Sequence, residues 1–593
     1  MLTCKLVNRE FNEIIQSSLL QYFLACKIAG VIDNPQPPLS YAERFEALKK
    51  REDAWRKLKP VFEMTISVNR QRFSRICRST EGVLFLGDHN LKDLNYCHLA
   101  SFPQDNSQWI KIPGHGPALN WSGILVNFVT ALHEHDLIVN VFSSGIEIQA
   151  DMQWYSLDLV LLKFSTGEYH PLAHRPRIHV QRSPEVRPWV VSRIVGDNLA
   201  LIVHSNDGTF SDKLFIFDWR TGRKLLQHEA TENPYSSLVF VSPELLLVPN
   251  CVLSHFEVWQ LHPKPPIQIL SLQTPAVSPE YSIFDFGCYG EPNPFLHSMP
   301  YLSPRPFFSS PENSIIAVTL RMSSNSGRPL SYNLIMNRRA LLDTIQTWTS
   351  PSFLEQQEYL TTWLTNEVTV HQITDPEDGS VQLDAQSKLV STMPHPRSSP
   401  RTRDSPAFAT LPPSNISADS GSSSVSSGLS TKPSISRCTF LQVPWAKWGP
   451  PISRWLQVSE LQARWLGSSH GQRYVFSEPN PLDRRKTMVS VVDFNPHNFR
   501  RNAEMMARLR SGEGEGSSGN NEESNGKAKG EEFEILDHKG VFSEEVYMGL
   551  KCVVHRAPDE YDFDVMLMDE QRLLGVKLNR HEWEESIKVL YIG

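Results

Sequence analysis

Asp136-Leu-Ile-Val-Asn-Val141 followed by Leu157-Asp-Leu-Val-Leu-Leu-Lys-Phe-Ser-Thr-Gly167 is echoed by Asp197-Asn-Leu-Ala-Leu-Ile-Val203 followed by Leu214-Phe-Ile-Phe-Asp-Trp-Arg-Thr-Gly222. Each copy is a short apolar, β-branched run, a gap, and a second run closed by a Thr-Gly turn, which is the pattern of paired strands rather than of helices. The same strand-gap-strand unit can be drawn from Val83 to Ser101, Leu245 to Leu261, Ile315 to Asn337, Tyr474 to Asn495 and Cys552 to Leu578. About seven units repeated along one chain predict a mainly β fold with a propeller-like body of about seven irregular blades, because radial repetition protects sheet edges. A sandwich or two separate β domains is the alternative.

Leu214 to Asp218, Phe256-Glu-Val-Trp259 and Val489-Ser-Val-Val-Asp-Phe494 resemble the third strand of a WD-repeat blade. Trp219, Trp259 and Trp455 sit among apolar neighbours and are expected to fill the core. Two stretches interrupt the β pattern. Residues 389–436 are rich in Ser and Pro, and residues 511–532 are acidic and dense in Gly and Ser. Neither can bury enough apolar surface to offset the entropy of ordering, so both are predicted to be disordered inserts. The body is thereby divided into 62–388, 437–510 and a final blade at 533–593.

Residues 1–60 read differently. Phe11, Ile14, Ile15, Leu19 and Tyr22 recur near a 3.6-residue period, predicting one amphipathic helix, and Asp33-Asn34-Pro35-Gln36-Pro37-Pro38 breaks it. A second helix opens at Ser40 with Glu43 in capping-box spacing and ends before Pro60. Phe45, Leu48, Trp55 and Leu58 form its apolar stripe. Glu46/Lys50, Glu52/Arg56 and Asp53/Lys57 are expected to pair across turns on its exposed side.

The composition, 40% hydrophobic and 21% charged with a net charge of −7, is that of globular material. It has no basic surplus for binding phosphate backbones, so nucleic acid is not an expected partner. The longest apolar runs fall far short of the roughly 20 residues that span a bilayer, and the N-terminus has no secretory apolar segment. A cytoplasmic or nuclear protein without membrane attachment is expected. The eight cysteines include no Cys-x-x-Cys pair, which argues against a disulfide framework and a zinc ribbon.

No reaction centre, metal or cofactor is expected, and the chain reads as non-catalytic. Gly519 to Lys527 has six residues, not four, between its outer glycines, and Ala528 in place of Ser or Thr, so it fails as a phosphate loop. His133-Glu134-His135 lacks the i,i+4 histidine spacing of a zinc helix and reads as a polar turn. Pro113-Gly114-His115-Gly116-Pro117 reads as a plain turn. Within the first insert, Ser399 and Ser405 precede prolines as in proline-directed phosphorylation sites. Asp419-Ser420-Gly421 has the form of an acidic phospho-degron, in which phosphate would add charge for an arginine cluster on a partner. Arg500 to Arg510, with Met505, Met506 and Leu509, reads as a surface helix.

Leu2-Thr-Cys-Lys-Leu-Val-Asn-Arg-Glu-Phe-Asn-Glu-Ile-Ile15 resembles the second half of an F-box, with Cys4, Leu6, Val7, Phe11, Asn12 and Ile15 matching and Asn8 standing where the pattern has cysteine. Leu39-Ser-Tyr-Ala-Glu-Arg-Phe-Glu-Ala-Leu48 with Ala54-Trp55 resembles the linker helix of F-box proteins of mushroom-forming fungi. Trp448-Gly-Pro-Pro-Ile-Ser-Arg-Trp455 and Tyr561-Asp-Phe-Asp-Val-Met-Leu-Met-Asp569 are similar to that group's C-terminal half. The resemblance implies a substrate receptor of an SCF ubiquitin ligase that docks on the Skp-type adaptor through Leu6, Val7, Phe11, Ile14 and Ile15 and holds a protein substrate on the β body. The matched text starts midway through the F-box, without its Leu-Pro start and first helix, so a truncated adaptor face is expected. An interaction scaffold independent of ubiquitin is the alternative.

Overall fold

Apolar residues on the middle strands occupy consecutive positions, so both faces of each sheet must be covered, and stacking sheet on sheet in a circle does this. The structure, a computed structural model, describes residues 9–68, 73–88, 90–105, 107–112, 123–149, 152–230, 234–262, 265–296, 298–302, 305–324, 327, 329–350, 369–374, 437–465, 467–483, 486–512, 533–579 and 584–593. Among these residues the strands form a seven-bladed β-propeller with a helical module at the N-terminal end.

In chain order, blade 1 comprises Phe73–Thr80, Val83–Asp88, Leu94–His98 and Ile110–Ile112. Blade 2 comprises Ile124–Ala131, Leu137–Gln149, Met152–Lys163 and Arg177–Ser183, and blade 3 Trp189–Val195, Asn198–His204, Lys213–Asp218 and Arg223–Glu229. Blade 4 is Val239–Ser242, Leu245–Asn250, His255–Gln260 and Ile267–Gln273. Blade 5 is Tyr281–Tyr289, Ile315–Ser324, Pro329–Asn337 and Ser453–Val458. Blade 6 is Ser469–His470, Arg473–Pro479, Thr487–Asp493 and Val553–Tyr561. Blade 7 takes Val565–Met568, Arg572–Leu578 and Glu584–Tyr591 from the C-terminal end. Its outer strand, Phe62–Ser67, comes from the N-terminal side, with Phe62 opposite Tyr591 and their rings stacked at 4.9 Å. This pairing closes the circle.

Strand alternation explains the packing. In blade 3, Leu199, Leu201 and Val203 point into the core shared with blade 2, while Ala200 and Ile202 point into the core shared with blade 4. In blade 1, Leu84 and Leu86 face blade 7 while Val83 and Phe85 face blade 2. A period of two on a sheet covered on both faces yields continuous apolar runs, the feature that made the repeat visible. Trp219, Trp259 and Trp455 are buried in the cores between blades.

Six of the seven sequence units coincide with the second and third strands of blades 1 to 6, and the three WD-like segments are third strands. The unit drawn over Cys552 to Leu578 is corrected. Val553–Tyr561 pairs with Thr487–Asp493 as the outer strand of blade 6, and the corresponding hairpin of blade 7 is Arg572–Leu578 with Glu584–Tyr591. Apolar pattern alone does not distinguish a hairpin within one blade from the step between two. Blade 4 is widened to six strands: Arg437–Val443 joins Ile267–Gln273 in parallel and Thr369–Thr374 adds beyond it. The 389–436 insert and residues 513–532 lie outside the described residues.

The N-terminal module is α1 (Arg9–Gln16), α2 (Ser18–Ala29) and α3 (Tyr41–Lys57). The single first helix read from the sequence is thus two. Ser17 is extended at ψ 139 and its hydroxyl accepts the Leu20 N–H, capping α2 and breaking the run. The capping box of Ser40 and Glu43 opens α3, and α3 ends at Lys57, before Pro60. Of the expected exposed pairs, Asp53–Lys57 forms at 2.6 Å. Glu46 instead meets Lys49, and Glu52 turns inward to Arg473 on blade 6 at 2.7 Å, because α3 lies against the propeller there rather than in solvent. The helix Pro496–Gly512 leaves Met505 and Met506 exposed, as a surface helix does.

Candidate functional site

The turns joining the first and second strands of the blades all lie on one face of the propeller, and the N-terminal module docks on that same face. Three seams fix it. Val31–Asp33 pairs antiparallel with Phe307–Ser309, in the long connection between the first two strands of blade 5. Leu48, Tyr22 and Cys26 pack with Phe307 beneath that pair. At the far end of α3, Trp55 and Leu58 enter the core between blades 6 and 7, with the Arg473 guanidinium 5.0 Å over the Trp55 ring.

Arg44 locks the turn between α2 and α3. Its buried guanidinium donates to Asp33 at 2.6 Å and to the carbonyls of Asn34, Pro37 and Leu39. Asn34 in turn donates to the Arg305 carbonyl at 2.8 Å. The breaker cluster seen in the sequence is therefore a rigid, hydrogen-bonded bend. Arg305 reaches Glu570 at 2.6 Å, Arg51 lies 3.8 Å from the same carboxylate, and the Ser309 N–H donates to it. Burial alone would raise the Glu570 carboxyl, but Arg305, together with His470 and Arg51, outweighs it and holds the group down at about 2.

The residues of the sequence-derived adaptor face do not all share one environment. Ile14 is 57% exposed, whereas Ile15, one position on, is 7% exposed and turned inward. Phe11 lies in α1, but its side chain, like Leu6 and Val7, lies outside the described residues. The exposed apolar row continues on α2: Leu19, which the sequence placed in the apolar stripe, and Phe23, which it did not, are each 45% exposed, and the Phe23 ring meets Tyr41 of α3 at 5.8 Å. The apolar residues of α2 are spread around its axis with only Ser18, Gln21 and Lys27 between them, so its sequence pattern marks no single outward face. Ser399, Ser405 and Ser420 lie outside the described residues, as does Pro113-Gly114-His115-Gly116-Pro117.

Beside the module, the propeller's central axis opens into a cavity of about 530 Å³. Turns from three blades bring Glu81, His133 and Glu570 to its wall, the first strand of blade 6 brings His470, and the blade 5 connection adds Glu291, Asn293 and Arg305. The Glu81 carboxylate accepts N–H groups from Leu132 (2.8 Å) and His133 (3.3 Å), at the start of a short helical turn, α4 (Leu132–His135). His133-Glu134-His135 is therefore a polar turn: Glu134 accepts from the Gly196 and Leu296 N–H groups, and His135 meets the Gly196 carbonyl at 3.0 Å. Among the described residues, no three His, Cys, Asp or Glu side chains come together as a metal site.

Glu81 keeps 21% of its side chain open to the cavity, yet protein surrounds it. Burial, with the nearby Glu134, pushes its carboxyl up to about 7. Glu291 is pushed up to about 7 by burial and by Glu81 itself. Burial holds both His133 and His470 down at about 4, so both are neutral near pH 7. Sequence reasoning missed Glu81, Glu291, Asn293, Arg305 and His470. The one available signal is positional, since Glu81-Gly82 and His470-Gly471 lie just upstream of the repeat units that start at Val83 and Tyr474.

No protein-family model matches the chain, and no curated protein matches it. Among solved structures it is similar to Hsv2p of Kluyveromyces lactis at 10% identity and a TM-score of 0.21, covering 42% of this chain and 73% of that one. A functionally unknown protein of Desulfotomaculum acetoxidans matches at 9% identity and a TM-score of 0.23, covering 44% and 86%. YCF48 bound to D1 peptide matches at 8% identity and a TM-score of 0.23, covering 46% and 78%. The fold assignment rests on the strand pairing described above, not on these overlays. Among the described residues no helix is long and apolar enough to cross a membrane.

Proposed function

We propose that this chain is a non-catalytic protein-interaction receptor of the F-box type, whose helical module docks a Skp-type adaptor while the propeller holds a protein substrate for an SCF ubiquitin ligase. The observation that carries the reading is the rigid mounting of the module. A strand pair, a buried arginine bend and Trp55 fix it to the propeller, while Ile14, Leu19 and Phe23 stay exposed beside the F-box-like text. A receptor needs that rigidity, because a substrate held at a fixed offset from the adaptor keeps an acceptor lysine at high effective concentration near the ubiquitin-loaded enzyme. Large apolar side chains grouped on one surface favour a protein partner over solvent.

The inward turn of Ile15 favours a second reading, a propeller scaffold that works without ubiquitin, in which α1 serves the module's own packing. Co-purification of the full chain with a Skp-type adaptor separates the two. The receptor reading expects a stable complex that Leu19→Glu and Phe23→Glu abolish while the thermal melting curve is kept. Absence of a complex with the unmutated chain leaves the scaffold reading.

A further inference from the structure

The helix α5 (Pro496–Gly512), in the connection between the third and fourth strands of blade 6, is held firmly at its start. The Asn495 side chain accepts the His497 N–H at 2.9 Å and donates to the Ile28 carbonyl of α2 at 2.7 Å, and Asn498 donates to Asp493 at 2.8 Å. Beyond that anchorage the helix runs out of cover. Among the described side chains of α5 none is buried, and from Ala503 to Arg508 every one is exposed, with Met505 at 53% and Met506 at 43%.

The helix nevertheless has an apolar side. At about 100° per residue, Phe499, Asn502, Met505 and Met506 fall in one arc, with Arg500 and Glu504 opposite. Phe499 and Asn502 are half-buried where α5 meets the outer strand of blade 6, and Met505 and Met506 carry the same arc outward into solvent. A helix of this length draws most of its stability from packing such a face, so its second half is incomplete without a partner. The charge around the arc says which kind. Arg501 and Arg508 stand one turn before and one turn after Met505, at the border of the arc, and both are exposed. Between Arg500 and Arg510 the sequence has four arginines and one glutamate, in a chain whose net charge is −7.

We propose that α5 is a docking helix for an acidic partner protein, whose apolar groove takes Met505 and Met506 while carboxylates on its rim pair with Arg501 and Arg508. Calcium-loaded EF-hand lobes are the chemical type of such a partner, presenting a methionine-rich groove to one face of a basic amphipathic helix. Methionine suits the contact, because an unbranched, polarisable thioether adapts to an irregular groove. An anionic membrane fits less well. Interfacial helices sink Trp, Phe or Leu into the lipid, and the one aromatic residue of this arc, Phe499, is already half-buried against the protein. Adaptor docking, which uses Ile14, Leu19 and Phe23 of the module, is separate from this surface.

The test is calorimetric titration of the full chain with calcium-loaded calmodulin as the probe for an acidic, methionine-rich groove. Saturable one-to-one binding is expected, abolished by calcium chelation. Met505→Glu with Met506→Glu, and separately Arg501→Glu with Arg508→Glu, should each weaken it by about tenfold or more. The melting curves should stay those of the unmutated chain, because all four side chains are exposed. Added salt should weaken binding of the unmutated chain more than that of the arginine variant. Absence of calmodulin binding, binding that survives chelation, or binding unmoved by either pair of substitutions overturns the proposal. So does attachment to phosphatidylserine vesicles that the methionine variant loses, which assigns α5 to a membrane, or self-association that the same variant loses, which assigns it to a second copy of the chain.

Discussion

Glu570 and Glu291 line one cavity and are both enclosed by protein, yet their carboxyls shift in opposite directions. At the module seam, Arg305 and Arg51 converge on Glu570; at the channel mouth, burial and the neighbouring Glu81 outweigh Arg193 and Arg338, which act on Glu291 from beyond salt-bridge distance. Burial costs both groups, and the supply of cations decides the sign. The seam carries ion pairs that hold two parts of the chain together, whereas at the mouth burial and Glu81 outweigh the more distant Arg193 and Arg338.

The largest expected effect breaks the seam. Arg305→Met leaves Glu570 short of its closest cation and should cost about 3–5 kcal/mol in denaturant unfolding, with the 9–58 segment becoming sensitive to limited proteolysis; unchanged stability would mean that Trp55 and the strand pair suffice. Glu291→Gln should act in the other direction. Removing a charge that burial and Glu81 disfavour more than Arg193 and Arg338 favour it stabilises the fold at pH 8 by ~1–2 kcal/mol, discounted because the side chain keeps some surface in the cavity, and the gain should vanish at pH 5, where the native group is already protonated.

The pH dependence of stability sharpens the same contrast. Glu570 has a folded pKa of about 2 against an ordinary value of 4.5, so its contribution is complete above 4.5 and is lost as pH falls toward 2. Glu81 and Glu291 have folded values of about 7, so the folded state binds protons more tightly than the unfolded one; their contribution is present below 4.5 and is lost as pH rises through 7. Melting temperatures of the unmutated chain and of Glu291→Gln across this range should diverge above pH 5, and parallel curves would contradict the channel-mouth assignment. The smallest effect is a control: Asp53→Asn removes an exposed pair with Lys57 and should leave the melting temperature unchanged within error.

Leu199, Leu201 and Val203 alternate with Ala200 and Ile202 within one strand, and that local period, repeated, made the blades readable. The capping box at Ser40 was equally legible, because Ser40 and Glu43 satisfy each other within four residues. Where two alternatives had the same local signature, legibility ended. Glu52 is spaced to pair with Arg56, yet it pairs with Arg473, more than four hundred residues away, because the propeller wall is closer than solvent. Ser17 interrupts a helical period that Ile14, Ile15, Leu19 and Tyr22 otherwise sustain, and a capping serine is indistinguishable from a solvent-facing one without the backbone.

The sequence by itself determined the repeated strand pairs that point to a propeller, since a short continuous apolar run closed by a turn is a property of each strand and survives whatever its neighbours are. It also determined the helical module and its boundary at Pro60. Only the tertiary structure decided which carboxyls are held ionised and which are held toward their neutral form. Glu81, Glu291 and Glu570 sit in turns and a long connection, and His470 in a two-residue strand, none with a readable periodicity. They meet because Phe62–Ser67 pairs with Glu584–Tyr591 and closes the ring, and the electrostatic state of each is set by neighbours that come from other blades and from the module.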